Sequence, residues 1–290
     1  MKMRKFLTFV MVFFVVGFAS SQDDLLNQLN AEKSDVKEIE NSAFKGLQIC
    51  NMQSTKLTAK GEWYMVVSHR FGDLTNGFDN FFGLDNALTK IGGIYGVTDW
   101  LSLGASRQTY NKTYELTAKY KLANQEISGF PVTIVGYNTM DINSEKKDVT
   151  TPGLKFNHRL AYTTQLLISR KFSDSFSLEL TPIYVHKNLY DGFDDQKSTL
   201  LLGSGARYKV AKRLSVNLEY AARLNLPDDS VSIYHNPLTI GLDIETGGHV
   251  FQLVFSNSQP MNDVAIYTNA DGRWDGKRQL YFGFNMYRVF

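Results

Sequence analysis

An all-β fold, an antiparallel transmembrane β-barrel of about twelve strands behind a signal peptide and a short N-terminal segment, is predicted by three features of the chain. The first is the C-terminal stretch from Arg278 to Phe290, which reads as one amphipathic strand ending on an aromatic residue. Leu280, Phe282, Phe284 and Met286 share one parity, with Tyr281, Gly283, Asn285 and Tyr287 on the other. Successive side chains of a strand point to opposite faces, so the large apolar groups collect on one side. The second is recurrence of period two throughout residues 61–290. The third is that links between the periodic segments alternate short and long, as the periplasmic turns and outer loops of bacterial outer-membrane barrels do.

At the N-terminus, Lys2, Arg4 and Lys5 precede an apolar run from Phe6 to Phe18 and the small residues Ala19, Ser20 and Ser21. This three-part pattern predicts a signal peptide over residues 1–21, cleaved between Ser21 and Gln22. The apolar run is too short to cross a bilayer as a helix, and no Cys stands at the cleavage point to take a lipid anchor. Residues 22–60 differ in kind. Leu25, Leu26, Leu29, Val36 and Ile39 sit among many charges, a pattern for a short amphipathic helix, and Phe44 to Met52 reads as an extended segment. Two roles stay open for it: a periplasmic tail, or a plug entering the barrel lumen.

Residues 61–290 form the barrel domain. In the clearest strands, Leu214, Val216, Leu218 and Tyr220 alternate with Ser215, Asn217, Glu219 and Ala221. Phe176, Leu178, Leu180 and Tyr184 oppose Ser177, Glu179 and Thr181; Tyr114, Leu116, Ala118, Tyr120 and Leu122 oppose Glu115, Thr117, Lys119 and Lys121; Leu238, Ile240, Leu242 and Ile244 oppose Thr239, Gly241, Asp243 and Glu245. Further strands are expected near 62–71, 86–97, 100–108, 129–138, 159–171, 199–210 and 249–256. Alternation is poor in 86–97, where Gly92, Gly93 and Gly96 suggest a bulge or bend, and in 129–138. Short turns are expected at 98–99, 123–128, 172–175, 211–212 and 247–248. Long loops are expected at 72–85, 139–158, 187–198, 224–235 and 257–277, with 107–112 short where a long link is due.

Composition narrows the function. Without Lys2, Arg4 and Lys5 the mature chain holds 28 basic against 29 acidic residues, which argues against a nucleic-acid partner. The mean hydropathy of −0.23 requires a membrane protein to hide its apolar surface in alternation. Cys50 is the only cysteine, so neither an internal disulfide nor a cysteine-rich metal cluster is available. No cofactor and no metal are expected: Asp191, Asp194 and Asp195 share one outer loop without calcium-loop spacing, and no His-x-x-x-His pair is present. The histidines His69, His158, His186, His235 and His249 lack a nucleophile elbow, and Gly203-Ser204-Gly205 reads as a small patch within a strand, so no enzyme is expected.

The inward parity carries the candidate site. Glu115, Lys119, Lys121, Glu179, Arg207, Lys209, Glu219, Asp243 and Glu245, with Gln165 and Asn285, are expected to line the lumen. They form either a wall of solvated charges and ion pairs or a constriction that selects small polar solutes. Passage of such solutes is the expected role; the alternative is a closed barrel serving as a structural or docking subunit. The lipid bilayer is the expected environment, in the outer membrane of a Gram-negative bacterium. Phe284, Met286 and Phe290 carry the terminal signal by which the outer-membrane assembly machinery recognises its clients. Trp63, Tyr64, Tyr95, Trp100, Tyr110, Tyr184, Tyr208, Tyr234 and Tyr281 are candidates for interfacial girdles, and Phe78, Phe81 and Phe82 stand in the first outer loop.

Several blocks resemble a known family. They are His69-Arg70-Phe71-Gly72, Gly83-Leu84-Asp85, Tyr95 to Leu101, Glu245 to Leu253, Asn257-Ser258 and Gly283 to Phe290. Together they are similar to a family of outer-membrane β-barrels of unknown function common in Bacteroidota. The resemblance runs from about Phe44 to the C-terminus and implies a barrel and an outer-membrane address, with no activity attached. Arg288 departs from the usual terminal signal and is expected near the interface.

Overall fold

The computed structural model describes residues 38–147, 151–190, 196–225, 233–247, 249–275 and 279–290. The signal peptide and the helix expected before residue 38, and the group Asp191, Asp194 and Asp195, are readings that lie outside the described residues. The strands are β1 (Trp63–Asp73), β2 (Leu88–Thr98), β3 (Leu101–Gln108), β4 (Thr113–Ala123), β5 (Thr133–Asn143), β6 (Leu160–Lys171), β7 (Phe176–Lys187), β8 (Ser198–Ala211), β9 (Leu214–Arg223), β10 (Leu238–Thr246), β11 (His249–Ser256) and β12 (Tyr281–Val289). Each pairs antiparallel with its neighbour in sequence, and β1 pairs with β12, so the sheet closes into a barrel. Closure leaves the sheet without an unpaired edge strand, which hydrocarbon demands of a spanning sheet.

Residues Glu40–Gln125 and Pro131–Phe290 make one compact unit, the barrel with its contents. In the other unit, the described residues 38–39 and 126–130 are joined by an Ile39–Glu126 bridge and by the Ile127 amide donating to Glu38 O at 2.9 Å.

Burial follows the predicted parity. In β7, Thr181 is 0% exposed and its neighbour Leu180 is 54% exposed, which sets polar groups inward and apolar ones toward lipid. The long links 74–87, 144–159, 188–197, 224–237 and 257–280 share one end with the short 109–112; the turns 99–100, 172–175, 212–213 and 247–248 share the other. One strand corrects the sequence reading. β5 begins at Thr133, not residue 129, because Pro131 has no amide to give a ladder and the alternation starts beyond it. The glycines of β2 lie beside a register shift between Gly96 and Thr98.

Aromatic contacts close the β1–β12 seam. Trp63 stacks on Phe290 at 4.5 Å, and Phe282 stacks on Phe71 at 5.8 Å and packs against Phe255 at 4.9 Å. The Arg288 guanidinium lies 4.6 Å over the Phe290 ring, at the strand end. Trp63, Tyr95, Trp100, Tyr184 and Tyr208 are exposed on the outer side. Tyr64 and Tyr281 instead take the inward parity, and Tyr281 donates to Asp271 Oδ1 at 2.9 Å.

Candidate functional site: the filled lumen

The polar lumen is occupied by two segments of the chain itself. The first is the stretch before β1. Ala43, Phe44, Leu47, Ile49, Cys50 and Met52 are buried, as are the polar residues Asn51, Gln53, Ser54 and Thr55. Ile49 N donates to Met52 O at 2.8 Å and Ser54 N to Leu47 O at 3.2 Å, and Gln48 bridges Gln53. This is a tight hairpin with its tip at residues 49–52. Of the two roles left open by the sequence, the geometry is that of a segment inside the barrel.

Glu219, on β9, meets the tip. Its carboxylate accepts the backbone amides of Cys50 (3.0 Å), Asn51 (2.8 Å) and Met52 (2.9 Å). Successive amides converging on one anion form a nest, a concave site with fixed partial positive charge. The tip carbonyls are met as well: Asn217 and Gln252 donate to Ile49 O at 3.1 and 2.8 Å, and Asn285 donates to Cys50 O at 2.7 Å. Asn51 itself accepts from Arg70 Nη2 at 2.8 Å. Lower in the hairpin, Lys119 Nζ donates to Leu47 O (2.9 Å), Ser54 O (3.0 Å) and Lys56 O (3.4 Å), and Glu179 accepts Thr55 N at 3.1 Å.

Wall glycines make room for the tip. A Cβ built on Gly205 would strike Ile49 Cδ1, one on Gly203 would strike Met52 Cε, and one on Gly241 would strike Cys50 Sγ. Gly203 and Gly205 are therefore a cradle for the hairpin, a purpose the sequence pattern does not reveal. Burial of Phe44, Leu47, Ile49 and Met52 stabilises the hairpin by roughly 1.5–3 kcal/mol per side chain, against the entropy of ordering it.

The second occupant is residues 257–272, from the β11–β12 link, including the short helix α1 (Asp263–Thr268). Asn257 anchors it, accepting Leu238 N at 2.8 Å and donating to Asn236 O and Gly272 O at 2.9 and 3.1 Å. Inside, Lys90 Nζ donates to Glu115 Oε1 (2.8 Å) and Met261 O (3.0 Å), Gln165 donates to Asp263, and Tyr267 Oη donates to Gln165 Oε1 at 3.2 Å. The two occupants meet where Gln53 Nε2 donates to Asp263 Oδ1 at 3.4 Å. One apolar cluster unites them with the wall: Met52 from the hairpin, Val264, Ile266 and Tyr267 from the link, and Ile183, Val185, Leu201 and Ala221 from the barrel.

All nine lining residues named from the sequence take the inward parity, in three groups. Lys119, Glu179 and Glu219 hold the hairpin directly, and Asp243 accepts from Gln252, which does so. Glu115 pairs with Lys90, and Arg207 Nη2 pairs with Glu245 at 2.9 Å. Lys121 and Lys209 are only partly buried, near the short-turn end. Of the wall of solvated charges and ion pairs expected from the sequence, Lys119, Glu179 and Glu219 instead take backbone groups of the hairpin as partners. Lys90, Asp263, Arg70 and Asp141 belong to the same interior and escaped the sequence reading. Arg70 and Asp141 alternate inward with Ser68 and Thr139, the signal that could have found them.

The remaining chemistry is sparse. His186 Nδ1 lies 3.0 Å from Ser198 Oγ on the outer face, with the Tyr184 hydroxyl 3.0 Å from the same oxygen. His69 contacts Thr89 Oγ1 at 2.9 Å, and His235 accepts from Arg273 Nε at 2.6 Å. Among the described residues no group of three His, Cys, Asp or Glu is placed to hold a metal.

The family described as a membrane bound beta barrel domain (DUF5777) matches residues 44–290. The chain belongs to this family. The match starts at Phe44, so the family's domain takes in the hairpin as well as the strands. No curated protein matches the chain. Among solved structures it is similar to the KdgM porin, at 10% identity and a TM-score of 0.50, over 78% of this chain and 99% of that one. A KdgM porin in complex with disordered oligogalacturonate gives the same values. The NanC porin is similar at 10% identity and a TM-score of 0.49, over 78% of this chain and 98% of that one. At such identities the likeness is one of fold: a porin-like barrel of the outer-membrane type.

Proposed function

We propose that the chain is a porin-like barrel for small polar solutes that rests closed, with residues 43–58 as its plug. The capture of three consecutive tip amides by Glu219 carries this reading. The plug is held by hydrogen bonds to wall side chains, which water can take over when it withdraws, and by the burial of Phe44, Leu47, Ile49 and Met52, which withdrawal must overcome. Withdrawal exposes a polar wall in which Lys119, Glu179, Glu219 and Asp243 face the solute, with Lys121, Arg207, Lys209 and Glu245 ringing the entrance at the short-turn end; a continuous channel then depends on residues 257–272 shifting as well. The test is conductance in a planar bilayer, with selectivity recorded across a salt gradient. Full-length protein is expected to be nearly silent and protein lacking residues 22–58 to form stable channels; silence from both overturns the reading.

A second reading, a permanently closed structural or docking barrel, is favoured by the inward apolar patch of Ile183, Val185, Leu201 and Ala221, which would meet water in an open lumen. Hydrolysis finds little support, since the His186–Ser198 pair is accompanied by a tyrosine hydroxyl in place of a group that would orient the ring. Phe284, Met286 and Phe290 serve in this proposal as the signal read by the assembly machinery. The family resemblance adds a Bacteroidota source.

A further inference from the structure

A cavity of about 140 Å³ lies at the long-loop end, between the rims of β4 to β7 and the floor made by residues 262–269. Its base holds Asp141 and Asn262, 3% and 4% exposed, and its outer wall carries Lys146, Arg159 and Lys187. Asn262 Nδ2 donates to Asp141 Oδ2, which leaves Asp141 Oδ1 and Asn262 Oδ1 buried with no hydrogen-bond partner among the described residues. A buried acceptor left unmade costs roughly 1–3 kcal/mol, so two of them beside one cavity point to a donor from outside the chain.

Charge agrees with the geometry. Asp141 is paired in register with Glu115, and Asp263 is on the adjoining helix; among the described residues the salt bridge to these three carboxyl groups is that from Lys90 to Glu115. The base is therefore short of positive charge, while the outer wall is rich in it. Ala161, Val264 and Ala265 line the space between the two ends. A cavity of about 150 Å³ accommodates a benzene-sized molecule, so one compact solute fits here and an oligomer does not.

We propose that this cavity binds a small zwitterion of the free amino-acid class, with its ammonium on Asp141 and Asn262 and its carboxylate toward Arg159 and Lys146. The proposal deepens the reading of the barrel as a solute pathway, on which it rests, by naming the solute class. Calorimetry on the refolded full-length protein tests it with three probes: L-alanine, L-alaninamide, which lacks the carboxylate, and N-acetyl-L-alanine, which lacks the ammonium. L-Alanine is expected to bind, and each analogue to bind about tenfold or more weakly. Asp141→Asn is expected to weaken both amine probes. Arg159→Gln, at the half-buried rim where the side chain donates to Asn143 O at 3.1 Å, is expected to weaken L-alanine alone, with heat-modifiable gel mobility confirming the fold. No binding of L-alanine, equal binding of either analogue, or indifference to Arg159→Gln overturns the assignment. Binding needs no current, so a barrel that binds but never conducts fails only the passage reading, and one that conducts without binding fails only this one.

Discussion

Removing the Glu219 carboxylate is expected to release the plug. In Glu219→Ala the amides of Cys50, Asn51 and Met52 lose their common acceptor at once. Hydrogen bonds to a charged group contribute roughly 1.5–3 kcal/mol each, so the gross loss from three is about 4–9 kcal/mol. Part returns, because a buried carboxylate is itself unfavourable. A net of about 2–4 kcal/mol shifts the closed-to-open ratio by roughly 30- to 1,000-fold. The chain supplies its own reporter: Cys50 is the only cysteine, is fully buried at the tip, and burial, with Glu219 and Asp243 adding, pushes its thiol up and suppresses reaction. Maleimide labelling of refolded barrels is expected to be slow in the native protein and faster by about that factor in Glu219→Ala, with a parallel rise in conductance. Glu219→Gln, which keeps one acceptor oxygen, falls between. A variant that still shows the heat-modifiable gel mobility of a folded barrel, yet labels and conducts like the native protein, would refute the role given to Glu219.

Three other outcomes are expected. Gly205→Leu fills the notch that receives Ile49 and should expel the tip, seen as faster Cys50 labelling with the barrel intact; unchanged labelling would count against the cradle. Asp263 is faced by Lys90, Glu115 and Asp141, and burial followed by Glu115 raises its carboxyl to about 7 from the ordinary 3.8, so the seated helix holds a proton that a solvated Asp would release. Seating is then favoured in acid and weakens as pH rises from about 4 to about 7, so conductance should climb across that interval and level off above it, and Asp263→Asn should flatten the rise. Phe290→Ser removes the ring stacked on Trp63, worth about 1 kcal/mol, and should lower the share of chain recovered in the outer-membrane fraction.

The strands were legible because a barrel wall between lipid and a polar interior forces period two on every spanning segment. The pattern failed where a backbone constraint overrode it, as at Pro131 before β5, or where glycines blurred it, as in β2. Inward parity found Glu219 and Lys119, yet their partners are backbone groups of a segment more than 60 residues away in sequence, which no local period encodes. Asp263 was hidden for a different reason: its link reads as an ordinary outer loop, and what seats it in the lumen is the set of hydrogen bonds made by Asn257, Met261 and Asp263 to residues far away in sequence. Gly203 and Gly205 were visible as small residues, but the close approach they permit required the positions of Ile49 and Met52.

The most direct test of a hairpin seated in the lumen is a cross-link from its tip to the wall. A Cβ placed on Gly241 lies 3.6 Å from Cys50 Cβ, within the range a disulfide spans. Gly241→Cys, refolded and mildly oxidised, is expected to form this bond, so that both thiols resist maleimide even after denaturation and become reactive once a reductant is added. Two freely labelled thiols in a folded, membrane-inserted barrel would contradict a plug in that position.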